Sequence, residues 1–251
     1  MTFVPMVRFA LLLVRPGMVV ISAPSMGGVY APVPLRIGLT VMLAFVLVSV
    51  VNVPASMPLV GLVLAVLREL AIGLAIGLSM RALVAGAEFA GHVTGFQIGF
   101  SYGAIVDPAS GVRNNLLAAL YGNIALLTLF ATNGHHAIMR ALVGSYLALP
   151  IGSGAIDASL AKAVVEMLGI VFIVGIRLAM PIIVVLLVIE FAMGLISRAA
   201  PSLNLLIVGM PVRIVVGLIV IAAVIPIAPE LIGRFVERAL ATGIHAARAF
   251  R

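Results

Sequence analysis

The 251-residue sequence contains no cysteine, which excludes disulfide bonds, thiolate metal sites and cysteine nucleophiles. Charged residues are also scarce: they make up 9% of the chain, against about 25% in a typical soluble domain. Hydrophobic residues make up 64%, and the mean hydropathy is +1.33. This composition excludes a soluble globular domain and indicates an integral membrane protein.

Basic residues outnumber acidic ones, and the formal net charge is +7. The arginines are spread along the chain and form no dense run, so we exclude nucleic acid as a partner. They lie within or at the ends of nearly every apolar segment. The excess of positive charge on one side that normally indicates the orientation of membrane helices is therefore absent. This distribution favours helices that pack chiefly on other protein. No stretch is polar enough for a separate aqueous domain, so we predict one membrane domain over residues 1–251.

The apolar runs predict an all-α protein, and roughly six of the predicted helices could cross a membrane, which takes about 20 apolar residues each. Arg15, Pro16 and Gly17 interrupt the first run, so we predict a retained helix there and not a signal peptide. The predicted helices span residues 3–22, 36–52, 59–81, 82–104, 113–148 with a break near Asn133 and Gly134, 158–198, 203–225 and 229–250.

Small residues recur at every fourth position in one segment: Ala87, Gly91, Gly95, Gly99 and Gly103. On a helix they share one face. A glycine inside a helix costs about 1 kcal/mol relative to alanine, so this repetition favours a packing role. Stripes of small residues let membrane helices approach closely. We therefore predict that Gly91, Gly95 and Gly99 form a helix-packing face.

The segment after this helix leaves helical conformation but remains apolar. Non-helical backbone at membrane depth is tolerated only where protein buries it or where it lines a cavity. The sequence therefore predicts a loop inside an assembly or a pore over residues 103–111, which include Gly103, Ile105, Val106, Asp107, Pro108 and Gly111.

Several charged residues fall inside apolar segments: Arg68, Glu69, Glu88, Arg177 and Glu190. An isolated charge there would cost several kcal/mol, so each should face protein, water or an opposite charge. For Glu88 we favour a structural contact over a proton relay, because a relay would need further carboxylates on the same face.

Two other functions stay open. Residues 99–103 fit the G-x-S-x-G pattern, so Ser101 with His92, His135 or His136 could form an intramembrane serine protease. In soluble hydrolases that pattern needs a strand-turn-helix setting, which this sequence does not offer. A small-solute transporter would need discontinuous helices in two related halves. We predict no metal or cofactor, because adjacent histidines on a helix point about 100° apart.

Short motifs follow one another in a fixed order along nearly the whole chain. They are Arg68-Glu69-Leu70-Ala71-Ile72-Gly73, Ala87-Glu88-Phe89-Ala90-Gly91, Gly95-Phe96-Gln97-Ile98-Gly99-Phe100-Ser101, Val106-Asp107-Pro108, Asn133-Gly134-His135, Leu149-Pro150, and Ala199-Ala200-Pro201-Ser202-Leu203-Asn204 followed by Gly209 and Pro211. In order and spacing they resemble the FliR family, called SctT in virulence injectisomes, the export-gate subunit of type III secretion systems. One departure is Ser202, where the family usually has glutamine.

This resemblance implies a non-enzymatic subunit that joins FliP-like and FliQ-like subunits, with FlhB-like and FlhA-like export proteins, in the bacterial inner membrane at the flagellar basal body. Unfolded export substrates would pass through the assembly. Residues 1–157 would be the FliP-like part and residues 158–251 a FliQ-like helical hairpin. The loop around Phe100 to Gly111, which includes Ser101, Asp107 and Pro108, would match the family's plug, with Phe100, Tyr102, Ile105 and Val106 as its bulk and Gly99, Gly103 and Gly111 as its hinges.

Overall fold

A computed structural model describes residues 3–26, 31–52, 54, 58–100, 116–151, 159–200 and 205–248. All regular secondary structure in these ranges is helical, which confirms the predicted all-α membrane fold. The helices are α1 (Phe3–Ser22), α2 (Val33–Val48), α3 (Leu59–Ile98), α4 (Leu116–Ala131), α5 (Gly134–Ala148), α6 (Ser159–Ala199), α7 (Leu205–Val224) and α8 (Ala228–Arg248), with a short 3-10 turn at Pro24–Met26.

The predicted break at Asn133 is confirmed, because this residue separates α4 from α5. Its φ of 56° lies in the left-handed region. Asparagine tolerates this conformation better than most residues, since its short polar side chain forms local hydrogen bonds. The local sequence thus accounts for the interruption of the apolar run.

The predicted boundary between 81 and 82 is wrong, because α3 runs without interruption for 40 residues. Arg81 lies at that boundary, but arginine is a good helix former and does not end a helix. The other end of α3 also differs from the prediction: the helix stops at Ile98, before the predicted residue 104.

Within the described ranges, α3 and residues Val164–Ala199 of α6 are long and apolar enough to cross a membrane. The number of spans rises to four if the α4–α5 and α7–α8 pairs each count as one. Roughly six crossings were predicted. One difference is that two predicted segments form the single helix α3. Another is α2, whose 16 residues extend only about 24 Å, short of a hydrocarbon core of about 30 Å.

The chain divides into two compact units. The first comprises Met1–Leu83, Leu129–Ile170 and Arg234–Arg251, and the second comprises Val84–Thr128 and Val171–Gly233. The buried side chains of the first unit include Leu12, Val19, Leu43, Ile76, Met80, Ile138 and Leu142. Those of the second include Val84, Ala87, Leu117, Tyr121, Val174, Leu178, Ile182 and Leu186.

Candidate functional site

The second unit holds the C-terminal part of α3, residues 84–98, which we call the stem. The stem packs on α4 at Gly91. A Cβ atom at this position would collide with Leu117 O and Ala118 Cα, which belong to the α4 main chain. Main-chain atoms cannot rotate away as a side chain can, so the two helices approach this closely only because residue 91 is glycine. Ala87 and Gly95, on the same face, are also buried.

Two other helices of the second unit contact the stem. The rings of Phe89 and Phe172 meet edge to face, with centroids 5.6 Å apart, and join the stem to α6. At the C-terminal end, Ile98 lies against α7: a Cβ atom at Gly217 would be 2.5 Å from Ile98 Cγ1. The stem is therefore held by α4, α6 and α7.

Gly99 ends the stem. Its N–H donates to both Gly95 O and Phe96 O at 3.2 Å, and its φ of 103° departs from the helix. Such a φ is readily adopted only by glycine. Phe100 follows with 44% of its surface exposed. The remaining predicted loop residues lie outside the described residues: Ser101, Tyr102, Gly103, Ile105, Val106, Asp107, Pro108 and Gly111.

A buried ion pair lies in the first unit and joins α1 to α3. Arg15 Nε donates to Glu69 Oε2 at 2.7 Å, and Arg15 Nη2 donates to Glu69 Oε1 at 2.8 Å. Arg15 is 0% exposed and Glu69 is 1% exposed. The two parallel hydrogen bonds form the bidentate arrangement that a guanidinium makes with a carboxylate. Glu69 thus faces an opposite charge, one of the environments expected for it.

The remaining donors of Arg15 reach α5 and the residue that follows it. Nη1 donates to Ser145 Oγ at 2.8 Å, and Nη2 donates to the Leu149 carbonyl oxygen at 3.1 Å. Ser145 Oγ in turn donates to Leu142 O at 2.6 Å. A buried charge is tolerated when its hydrogen-bonding groups are satisfied in this way. We call Arg15, Glu69, Ser145 and Leu149 the buried arginine network.

Sequence reasoning did not assign Arg15 to this network. It treated the residue only as an interruption of the first apolar run. The sequence does show a cation, Arg15, in one apolar segment and a carboxylate, Glu69, in another. Each needs a partner, and this need indicates that they could pair. Their separation of 54 residues gives no helical spacing from which to pair them.

The ring of Tyr146 covers the arginine, with Arg15 Cζ 4.0 Å from the ring centroid. The Tyr146 hydroxyl is buried and forms no hydrogen bond within the described residues. The ring face, and not the hydroxyl, is therefore the part of Tyr146 that contacts the buried charge.

Tyr146→Phe is expected to leave the free energy of unfolding unchanged or slightly raised, because it keeps the ring and removes a buried hydroxyl without a partner. Tyr146→Leu is expected to lower it by about 2 kcal/mol through loss of the cation–π contact. Denaturant titration of the purified chain in micelles measures both. Equal losses in the two variants would assign the effect to the hydroxyl.

The other predicted polar residues have different environments. Arg68 is half-buried and Arg177 is exposed. Glu88 is half-buried and lies against α4, with its Cγ 2.9 Å from where a Cβ of Gly122 would be. Glu190 pairs with Arg213 at 3.2 Å in the second unit, where both side chains are more than one third exposed.

The histidine candidates are placed as follows. The rings of His135 and His136 lie 4.1 Å apart, and His92 is exposed. Ser101, the nucleophile of the protease alternative, lies outside the described residues. In the described part of the chain, no group of three or more His, Cys, Asp or Glu side chains could hold a metal ion.

Comparison with known proteins identifies the family. The model of the family described as bacterial export proteins, family 1, matches residues 6–239. The chain is 32% identical over 210 residues to flagellar biosynthetic protein FliR of Escherichia coli (strain K12), covering 82% of this chain and 79% of that protein. It is 29% identical over 216 residues to FliR of Caulobacter vibrioides, with coverages of 85% and 86%. It is also 26% identical over 217 residues to FliR of Bacillus subtilis (strain 168), with coverages of 85% and 84%.

The family match and the apolar helices together indicate a membrane-embedded component of flagellar protein export. The match extends over nearly the whole chain, including α3, both residues of the buried ion pair and most of α8. The chain therefore belongs to family 1 of the bacterial export proteins, the family of the flagellar biosynthetic protein FliR.

Proposed function

We propose that this chain is a non-enzymatic core subunit of the type III flagellar export gate in the bacterial inner membrane. In this proposal unfolded export substrates pass through a channel to which the chain contributes, and the segment from Phe100 to Gly111 is a plug that closes it. The observation that carries the proposal is the stem, a tightly packed helix that ends in an apolar segment.

The packing of the stem supports a plug that is attached to a firmly held helix. Contacts with α4, α6 and α7 hold the helix up to Ile98, and the positive φ of Gly99 then turns the chain away. The next side chain, Phe100, is a partly exposed aromatic ring. An apolar constriction of this kind closes a pore by dewetting. A glycine at the junction lets the plug move while the stem stays in place.

The partners in this proposal are FliP-like and FliQ-like subunits together with FlhB-like and FlhA-like export proteins. Their binding is supported by large apolar side chains that stay exposed on several helices: Leu59, Leu147 and Phe191 are each at least 70% exposed. Residues 1–157 form the FliP-like part in this proposal, and residues 158–251 form the FliQ-like hairpin. Purification of the tagged chain from membranes should recover these subunits.

Deleting residues 102–106 is expected to make cells permeable to small ions and solutes while the subunits still co-purify, because the deletion removes most of the apolar bulk of the plug. Membrane conductance and dye entry measure the effect. Deleting residues 153–157, which follow α5, removes the same number of residues from another connection and should leave permeability unchanged. Wild-type conductance in the first variant, with normal co-purification, would show that this segment is not the plug.

A further inference from the structure

A cavity of about 610 Å³ lies between the N-terminal half of α1 and the C-terminal end of α2, within the first unit. We call it the Arg8 cavity. Its lining combines polar groups with aromatic and aliphatic walls: Arg8, Phe9, Leu12, Phe45, Val48 and Asn52. Phe45 is 75% exposed, so part of the apolar wall is open to the surroundings of the protein.

Arg8 is the only charged side chain among the described residues that line this cavity. Its Nε is buried and forms no hydrogen bond within the described part of the chain. Buried donors are nearly always paired, because an unpaired one loses its hydration without compensation. The Nε of Arg8 therefore lacks an acceptor, and an anion would provide both the acceptor and the opposite charge.

The walls of the cavity indicate what carries that anion. A small soluble anion would leave the exposed surfaces of Phe45 and Val48 without contacts. An anionic phospholipid fits both features, because its phosphate can accept from the arginine while its acyl chain covers the apolar wall. Basic pockets among membrane helices bind lipid head groups through this chemistry. The composition of the chain indicates a membrane protein, so lipids have access to its exposed apolar surfaces.

We propose that the Arg8 cavity binds an anionic phospholipid, with the phosphate on Arg8 and Asn52 and an acyl chain along Phe9, Phe45 and Val48. This site is separate from the plug and does not depend on the proposed function. It would attach the α1–α2 pair to a particular class of lipid.

The other end of α2 provides a matched control. Arg36 lines a smaller cavity of about 350 Å³ with Leu13, Gly17 and Val41, and its Nε is likewise buried without a hydrogen bond among the described residues. Arg36→Gln removes the same charge as Arg8→Gln from the same pair of helices. The two variants therefore separate binding in the Arg8 cavity from general attraction by positive charge.

The chain contains no tryptophan, so Phe45→Trp introduces a single fluorescent reporter into the wall of the cavity. The full chain is reconstituted in phosphatidylcholine vesicles that contain 20% phosphatidylglycerol, with brominated acyl chains on one lipid or the other. Brominated phosphatidylglycerol is expected to report about fivefold enrichment at the tryptophan over brominated phosphatidylcholine. This ratio corresponds to an attraction of about 1 kcal/mol between one arginine and anionic lipid.

In this reporter background, Arg8→Gln should bring the enrichment close to one, Arg8→Lys should keep most of it, and Arg36→Gln should leave it unchanged. A tryptophan placed instead at Leu127, which is 68% exposed on α4, should show no preference.

Enrichment near one in the Phe45→Trp chain without further substitutions would overturn the proposal and would point to a partner's acidic side chain as the ligand of Arg8. Loss of the enrichment on addition of 50 mM inorganic phosphate would show a free-phosphate site and would also overturn it. Equal losses of enrichment in the Arg8→Gln and Arg36→Gln variants would show that only the net charge of the chain attracts the lipid. That result would also overturn the proposal.

Discussion

Arg15→Leu is expected to lower the free energy of unfolding of the purified chain by about 3–5 kcal/mol. The substitution leaves Glu69 buried without its partner, and breaking a buried ion pair from one side has a cost of this size. It also removes the donors to Ser145 Oγ and to the Leu149 carbonyl oxygen. Total stabilities are only about 5–15 kcal/mol, so the loss should shift a denaturant titration in micelles strongly.

The double variant Arg15→Leu/Glu69→Leu tests this explanation. Replacing both members of a buried pair by apolar side chains is often neutral or stabilising, so most of the lost stability should return. Arg15→Lys should fall between the parent and Arg15→Leu, because an ammonium keeps the charge but cannot form the bidentate pair. If the double variant loses the sum of the two single losses, the pair is not the source of the effect.

The Arg213–Glu190 pair is the matched control within the chain. It is similar in chemistry, but its side chains are 36% and 38% exposed and only one contact of 3.2 Å joins them. Pairs exposed to water contribute about 0–1 kcal/mol, whereas a buried pair that loses one partner leaves an uncompensated buried charge. Arg213→Leu should therefore lower the free energy of unfolding by less than Arg15→Leu does. A loss as large as that of Arg15→Leu would show that burial does not determine the cost.

Local sequence was sufficient for much of the fold. The all-α fold class follows from the composition and length of the apolar runs. Helices α1, α6 and α7 begin and end within two residues of their predicted limits. The break at Asn133 also follows from a local property, since this residue adopts a left-handed φ. The helix limits and the break at Asn133 depend on residues that are close together along the chain, and the sequence shows these directly.

The features that depend on distant residues could not be predicted in the same way. Arg15 meets Glu69 across 54 positions and Ser145 across 130, and their pairing depends on how α1, α3 and α5 pack. The false boundary at residue 81 coincides with Arg81, which lies in the apolar run without ending the helix. An arginine within an apolar run indicates a required partner more than the end of a helix.

The glycines differ in a way that only the packing reveals, and one substitution made at two of them should have opposite effects. Gly91→Ala is expected to lower the free energy of unfolding by about 1–3 kcal/mol, because the new methyl group overlaps the main chain of α4 at Leu117 and Ala118. Gly194→Ala is expected to raise it by about 1 kcal/mol. No atom lies within 4 Å of a Cβ at that position, so only the higher helix propensity of alanine acts.

Both glycines belong to the second unit and to long helices, so the contrast isolates the contact with α4. Denaturant titration in micelles measures both variants against the parent. Two stabilising effects would mean that α3 and α4 separate at little cost and that Gly91 does not hold them together. Opposite signs, with Gly91→Ala also reducing recovery of the FliP-like and FliQ-like subunits, would link the close contact at Gly91 to assembly of the gate. The packing of the stem would then be a requirement for export as well as for the stability of the chain.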